Sequence, residues 1–172
     1  MDLYRESIHV PLIVKMPSPT RRGRVSAVVS TESLPATLLG AARIQFDSND
    51  IQAWQSLLAM SAGDVNSDPV ISATTTDSRS AGESKISVIF SGLHYIRWMA
   101  SGREELYDFM RDASEQKSIA DQSTDKTGVA RRLVTERISN DASFRNSHRI
   151  APVSRRQDAE VLDRLRALGY IQ

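Results

Sequence analysis

The stretch "HVPLIVKM", His9 to Met16, constrains this chain more than any other, because Val10 to Val14 is apolar at every position rather than at every second one. A half-buried strand alternates apolar and polar residues. A continuous run suits a strand covered on both faces, as in parallel sheets flanked by helices. Pro11 lies near its start, and Pro17 and Pro19 close it. The pattern predicts a core strand over Val10–Met16 that needs neighbouring strands to pair with.

A polar turn, Pro17 to Arg24, leads to "VSAVV", a second short strand-like run over 25–29. "STESLPATLLGAAR" then reads as a helix. Thr31 or Ser33 can cap it, and Pro35 falls in the first turn, where a missing N–H costs nothing. Leu34, Leu38, Leu39 and Ala42 share one face. Strand, turn, strand and helix over 8–43 is the style of an α/β layer. "IQAWQSLLAM" adds a short amphipathic segment with Ile51, Trp54, Leu57 and Leu58 as its buried candidates.

The second half changes character. "DPVISATTT" is rich in β formers, and "TTDSRSAGES" is a Ser/Thr/Gly loop. "KISVIF" and "HYIRWMA" flank "SGL", which predicts a hairpin with Ile96 and Trp98 on one face and Tyr95, Arg97 and Met99 on the other. "GREELYDFM" supplies another turn and strand. Residues 113–126 read as loop, Thr127 to Ile138 as helix, and 139–153 as irregular. A last helix follows. Ser154 and Gln157 make a capping box, Val161, Leu162, Leu165 and Leu168 a stripe, and Gly169 a C-terminal stop with Tyr170 as its apolar clasp.

Composition narrows the function classes. At 172 residues and 40% hydrophobic, the chain can bury one core. Its 22 basic and 21 acidic residues nearly cancel, so no charged partner is announced globally. With no cysteine, disulfides, zinc–thiolate sites and thiol nucleophiles are excluded. No apolar run approaches the roughly 20 residues of a membrane helix, and the start lacks the order of a signal peptide, so neither membrane nor compartment is indicated.

Candidate chemical residues are sparse. His9, His94 and His148 show no metal-binding spacing. Trp54 and Trp98 read as core. His94 reads as a hairpin side chain with a satisfied hydrogen bond. Glu6 beside Arg5, and Asp108 with Asp112, are better placed for helix-turn and loop-capping roles than as catalytic acids. From Gly128 to Arg156, seven arginines stand against Glu136 and Asp141 alone, an excess of five positive charges. Such a strip could touch phosphates. It has only Phe144 as an interleaved aromatic, so a solvated helix face is the plainer reading and nucleic acid is not the expected partner.

Three phrases share a further pattern. "LYRESIHVPLIVKMPSPTRRGRVSAVVSTESLPATLLGAA" resembles a bacterial sulfatase segment that runs Leu-Tyr-Glu-Glu-Ser, apolar strand, Pro/Gly turn, then a Pro-Thr-Leu-Leu helix. "HYIRWMASGREELYDFMRDASEQKSIAD" is similar to that family's C-terminal hairpin, Lys-Tyr-Ile followed by Glu-Leu-Tyr-Asp-Leu and Asp-Pro-x-Glu. "LRALGYI" resembles the phrase that often ends such chains. Glu32, Ser33 and Ala36 depart from the pattern, as do His94, where Lys is common, and Ala113 and Ser114, where Pro-Gly is usual.

The resemblance implies the C-terminal portion of a sulfatase, in the alkaline-phosphatase-like superfamily of metal-dependent sulfate and phosphate ester hydrolases. Residues 1–68 would end the large α/β domain. Residues 69–172 would form the C-terminal antiparallel sheet with its closing helix, giving a fold class of α/β to α+β. The family's nucleophile is a formylglycine made from a Cys or Ser in Cys/Ser-x-Pro-x-Arg, working with calcium or magnesium. "PSPTR" matches only the tail of that motif, with Pro17 at the nucleophile position, so it is a decoy. No catalytic, cofactor or metal residue is expected within the chain, and His9 is the one residue expected near substrate in an intact enzyme. The expected partner is the missing N-terminal portion, or a second copy through the exposed strand 10–14; the chain alone is expected to be inactive. The competing expectation is a stand-alone interaction module, or a weak nucleic-acid binder through 128–156.

Overall fold

The computed structural model describes residues 2–15, 23–45, 57, 69–74 and 83–148. Their elements are α1 (Arg5–Ile8), a 3-10 turn (Thr31–Ser33), α2 (Leu34–Ala41), β1 (Val70–Thr74), β2 (Lys85–Phe90), β3 (Leu93–Trp98), β4 (Glu104–Asp108) and α3 (Thr124–Ser147). The chain divides into two compact units, Met1–Glu136 and Arg137–Gln172.

The four strands form one antiparallel sheet in the order β1-β2-β3-β4. Ser91 and Gly92 close the β2–β3 hairpin with φ of 46° and 74°, between the paired residues Phe90 and Leu93. Two successive left-handed residues give a two-residue turn whose twist matches that of the strands, and glycine adopts the second position without strain. The outer side of β4 is covered rather than open. Ile119 donates its N–H to the Leu106 carbonyl at 2.7 Å, and Leu106 donates to Ser118 Oγ at 3.2 Å. Such cover removes an edge that could template aggregation.

Alternation then builds two cores on one sheet. Ile86, Val88, Phe90, Leu93, Tyr95 and Leu106 face Ala130 and Val134 of α3. Thr127, Ala130 and Val134 are buried at helical spacing, so that stripe of α3 docks on the sheet. On the opposite face, Ile96, Trp98 and Tyr107 pack with Leu3, flanked by Tyr4 and Ile8 of the opening segment. The expected split of Ile96 and Trp98 from Tyr95 is what places these residues in different cores.

Several local expectations need correction. Residues 9–15 form no strand, and neither do 25–29, so the ladder expected of "VPLIV" and "VSAVV" is missing among the described residues. Val10, Leu12, Ile13 and Val14 are exposed, Ile13 by 92%. An apolar run states what it would bury, but only a neighbouring backbone makes it a strand. In α2 the buried residues are Ala36 and Thr37, while Leu38 is 68% exposed, so the leucine stripe is not the inward face. Thr37 is held inside by donating to the Ser33 carbonyl at 2.6 Å and accepting from the Leu57 N–H at 2.9 Å. Ser33 stands at the N-cap of α2 without a side-chain bond, and the preceding 3-10 turn is capped by Ser30 Oγ, which accepts the Glu32 N–H at 3.2 Å.

α3 starts at Thr124 and continues to Ser147, into 139–153, which the sequence reads as irregular. Its polar second half is supported by an Arg137–Asp141 pair at 2.7 Å, four residues apart, and by Arg145 Nε donating to the Asp141 carbonyl. The amphipathic segment 51–60, apart from Leu57, and the closing helix 154–168 lie outside the described residues. No described helix is long and apolar enough to cross a membrane.

Candidate functional site

The chemistry-bearing residues gather on the sheet face opposite α3. β3 places His94 there, and the turn after β4 brings in Glu115, whose φ of 51° is left-handed. His94 Nδ1 lies 2.5 Å from Glu115 Oε1, with side-chain exposures of 0% and 2%. The other carboxylate oxygen, Oε2, accepts the Arg5 N–H at 2.7 Å. Arg5 Nη1 donates to the Phe109 carbonyl at 3.0 Å, and its guanidinium lies 4.3 Å from the Phe109 ring centre. The Phe109 ring in turn meets the His94 ring edge-on. One carboxylate thus joins a buried strand residue to the backbone of the opening segment.

A second carboxylate does the same nearby. Glu105 Oε2 accepts hydroxyl protons from Tyr4 at 2.9 Å and Tyr107 at 2.7 Å, and Glu105 Oε1 is paired with Arg103. Burial raises the pKa of both tyrosines, and the bond to Glu105 adds to it, since a phenolate there would face an anion. Asp2 and Lys85 meet at 2.9 Å. Burial pushes the Asp2 carboxyl up, but hydrogen bonds from Lys85 and the Leu3 N–H outweigh it and hold the pKa below its ordinary value. Lys85 and Arg103 also stand against the Trp98 ring, 5.1 and 4.5 Å from its centre. His94 Nε2 and Ser87 Oγ on this face, and Arg97 Nε, are buried without a partner among the described residues.

On the α3 face, a shallow cleft of about 290 Å³ is lined by Glu104, Ala120, Asp121, Thr124, Thr127 and Arg131. Arg131 makes a two-pronged contact with Glu104, 2.6 Å on each branch, and Tyr95 donates to Glu104 Oε1 at 2.5 Å. The bond from Arg131 holds the Glu104 carboxyl low against the opposing effect of burial. Burial and the Glu104 anion push the Tyr95 hydroxyl up.

The residues singled out in the sequence are dispersed. His9 is exposed just after α1, at its C-cap, and is not brought to His94. Trp98 is core, as expected. Asp108 caps the Met110 and Arg111 N–H groups, and Asp112 those of Gln116 and Lys117, the loop-capping role expected of them. His94 has its hydrogen bond at Nδ1 but none at Nε2. Of the basic strip, Arg131 and Arg137 are in ion pairs, and 149–156 lie outside the described residues. Glu115 and Glu105, which with Arg5 organise the face, carried no sequence signal beyond their places in the family-like phrases.

No protein-family model matches this chain. No curated protein matches it either. Solved structures do. The fold superposes on BT1596, a 2-O GAG sulfatase, with a TM-score of 0.53 and 20% identity, over 69% of this chain and 26% of that one. A candidate sulfatase from Bacteroides thetaiotaomicron VPI-5482 gives the same TM-score, identity and coverage. This chain has the fold of part of a sulfatase. It spans about a quarter of the length of the sulfatase chains it matches.

The sulfatase-like fold raises the question of its metal. A calcium or magnesium ion wants several oxygens converging at about 2.0–2.6 Å. Among the described residues no three His, Asp or Glu side chains converge. The two buried carboxylates, Glu105 and Glu115, already hold tyrosine, arginine, histidine and backbone donors. The described part of this sulfatase-like unit does not fit a divalent cation, and "PSPTR" lies outside it.

Proposed function

We propose that this chain is the C-terminal portion of a sulfatase-like hydrolase whose intact form cleaves sulfuric esters. One observation carries the proposal: a fold match over 69% of this chain that uses only 26% of the sulfatase chain. The order of the family-like phrases in the sequence supports the C-terminal placement. Metal and formylglycine then belong to the remaining portion, and the described residues supply a packed sheet rather than a reaction centre.

The same proposal assigns the exposed run Val10–Val14 to the seam with that remaining portion. Its exposure supports this, since large contiguous apolar patches mark interaction surfaces. Without that partner, two copies associate through the run. His9, exposed beside the seam, is the residue of this chain set nearest substrate.

The test offers this chain a chromogenic aryl sulfate and a 2-O-sulfated glycosaminoglycan disaccharide, each with calcium. No turnover is expected from the chain alone. Hydrolysis abolished by a chelator would overturn the proposal.

A further inference from the structure

Residues 2–8 touch the sheet in an unusual manner. They add no strand to it. Instead four successive residues each meet receptor groups on the face opposite α3. Asp2 reaches Lys85 at 2.9 Å. Leu3, 3% exposed, fills the apolar floor of Ile96, Trp98 and Tyr107. Tyr4 donates to Glu105 and packs edge-on against the Tyr107 ring. Arg5 gives its N–H to Glu115 and lays its guanidinium over Phe109.

The receptor side is built for an occupant. Glu105 and Glu115 are 7% and 6% exposed, so without the segment their oxygens would lose buried partners. The described residues just beyond the segment add no strand to the sheet. Residues 9–15 form no ladder, and among the described residues the next strand is β1, starting at Val70. An apolar floor ringed by charged groups, filled by one short turn, has the anatomy of an interface, an apolar centre with a polar rim.

We propose that the face formed by β2, β3, β4 and the Glu115 turn is such a surface, bound in cis by Asp2–Ile8 and able to bind a second copy of that segment in trans. The partner chemistry is an acidic residue, then Leu-Tyr, then a basic residue opening a helical turn. Glu115 reads the backbone, and Lys85 and Glu105 read the side chains.

The experiment uses the full chain and a fluorescent peptide of sequence DLYRESIH. In the double variant Leu3→Asp, Tyr4→Ala, the chain's own segment is disabled while every sheet residue is kept. Fluorescence anisotropy is expected to show saturable binding at one peptide per chain, about tenfold or more tighter than to the wild type, whose tethered segment competes. Adding Glu115→Ala to that variant is expected to weaken binding about tenfold. Equal binding by wild type and variant, or none by a variant whose circular dichroism is unchanged, overturns the proposal. Should the variant unfold, hydrogen exchange on the wild type decides. Amides of Leu3–Ile8 are expected to exchange at least about tenfold faster than those of β3, and exchange in step with β3 would make the segment ordinary core.

Discussion

Glu115 and His94 form a pair at 2.5 Å, both side chains shut off from solvent, at opposite ends of the β3–β4 hairpin and its following turn. The same carboxylate binds the half-buried Arg5 N–H, so its removal leaves that N–H and the buried His94 Nδ1 without their partner. Each orphaned group costs about 1–3 kcal/mol. Glu115→Ala is therefore expected to lower unfolding free energy by about 2–6 kcal/mol in urea titration. Glu115→Gly loses the same bonds but relieves the left-handed backbone, and should be about 1 kcal/mol less damaging than the alanine variant. Equal losses would remove the strain from the account.

The Glu104–Arg131 contact contributes to the acid limb of the stability curve. The Glu104 carboxyl is held low by the Arg131 hydrogen bond, against burial. A carboxyl with a lowered folded pKa binds its proton more readily when unfolded, so its contribution is complete above the ordinary value of 4.5 and fades as pH falls through the folded value. Glu104→Gln should flatten the fall in thermal midpoint below about pH 4.5 while leaving the neutral-pH slope unchanged. A variant curve parallel to wild type would contradict this.

Tyr95 and Tyr107 contribute to the alkaline limb. Burial, and then an adjacent glutamate, raise both hydroxyls above 10. Their stabilisation is present below the unfolded value of 10 and is lost as pH climbs toward the folded values. At about pH 11 the native chain should show phenolate absorbance from no more than half its four tyrosines, with the rest appearing only on unfolding. Full ionisation without loss of circular dichroism would sink this expectation.

Ile13 is 92% exposed, within the run Val10–Val14 proposed above as the seam. Ile13→Lys should leave unfolding free energy within about 0.5 kcal/mol of wild type. It should also shift the concentration dependence of sedimentation toward monomer. Unchanged self-association would move the seam elsewhere.

Much of this fold was legible because its signals are local. The Ser91–Gly92 turn, the alternation through β3 and the Asp108 and Asp112 caps each depend on residues a few positions apart. What failed depended on distant neighbours. Val10–Val14 could state its apolarity but not supply a ladder, and Leu38 could not announce that Thr37 would be the residue turned inward. Residues 139–153 read as irregular, yet α3 runs on to Ser147, with the Arg137–Asp141 pair bridging the point where the helix was expected to end. The Glu115–His94–Arg5 group joins positions up to 110 residues apart, and no spacing rule reaches that far.

The strands of the sheet follow one another along the chain, whereas the Tyr4–Glu105 bond closes a separation of 101 residues. Loops of that length close late, after nearby hairpins have formed, so the amino-terminal turn should arrive last on the folding route. Substitutions at Val88 or Leu106 would then slow refolding. Those at Leu3 would mainly quicken unfolding, leaving the first stage of assembly indifferent to whether the opening residues are there at all.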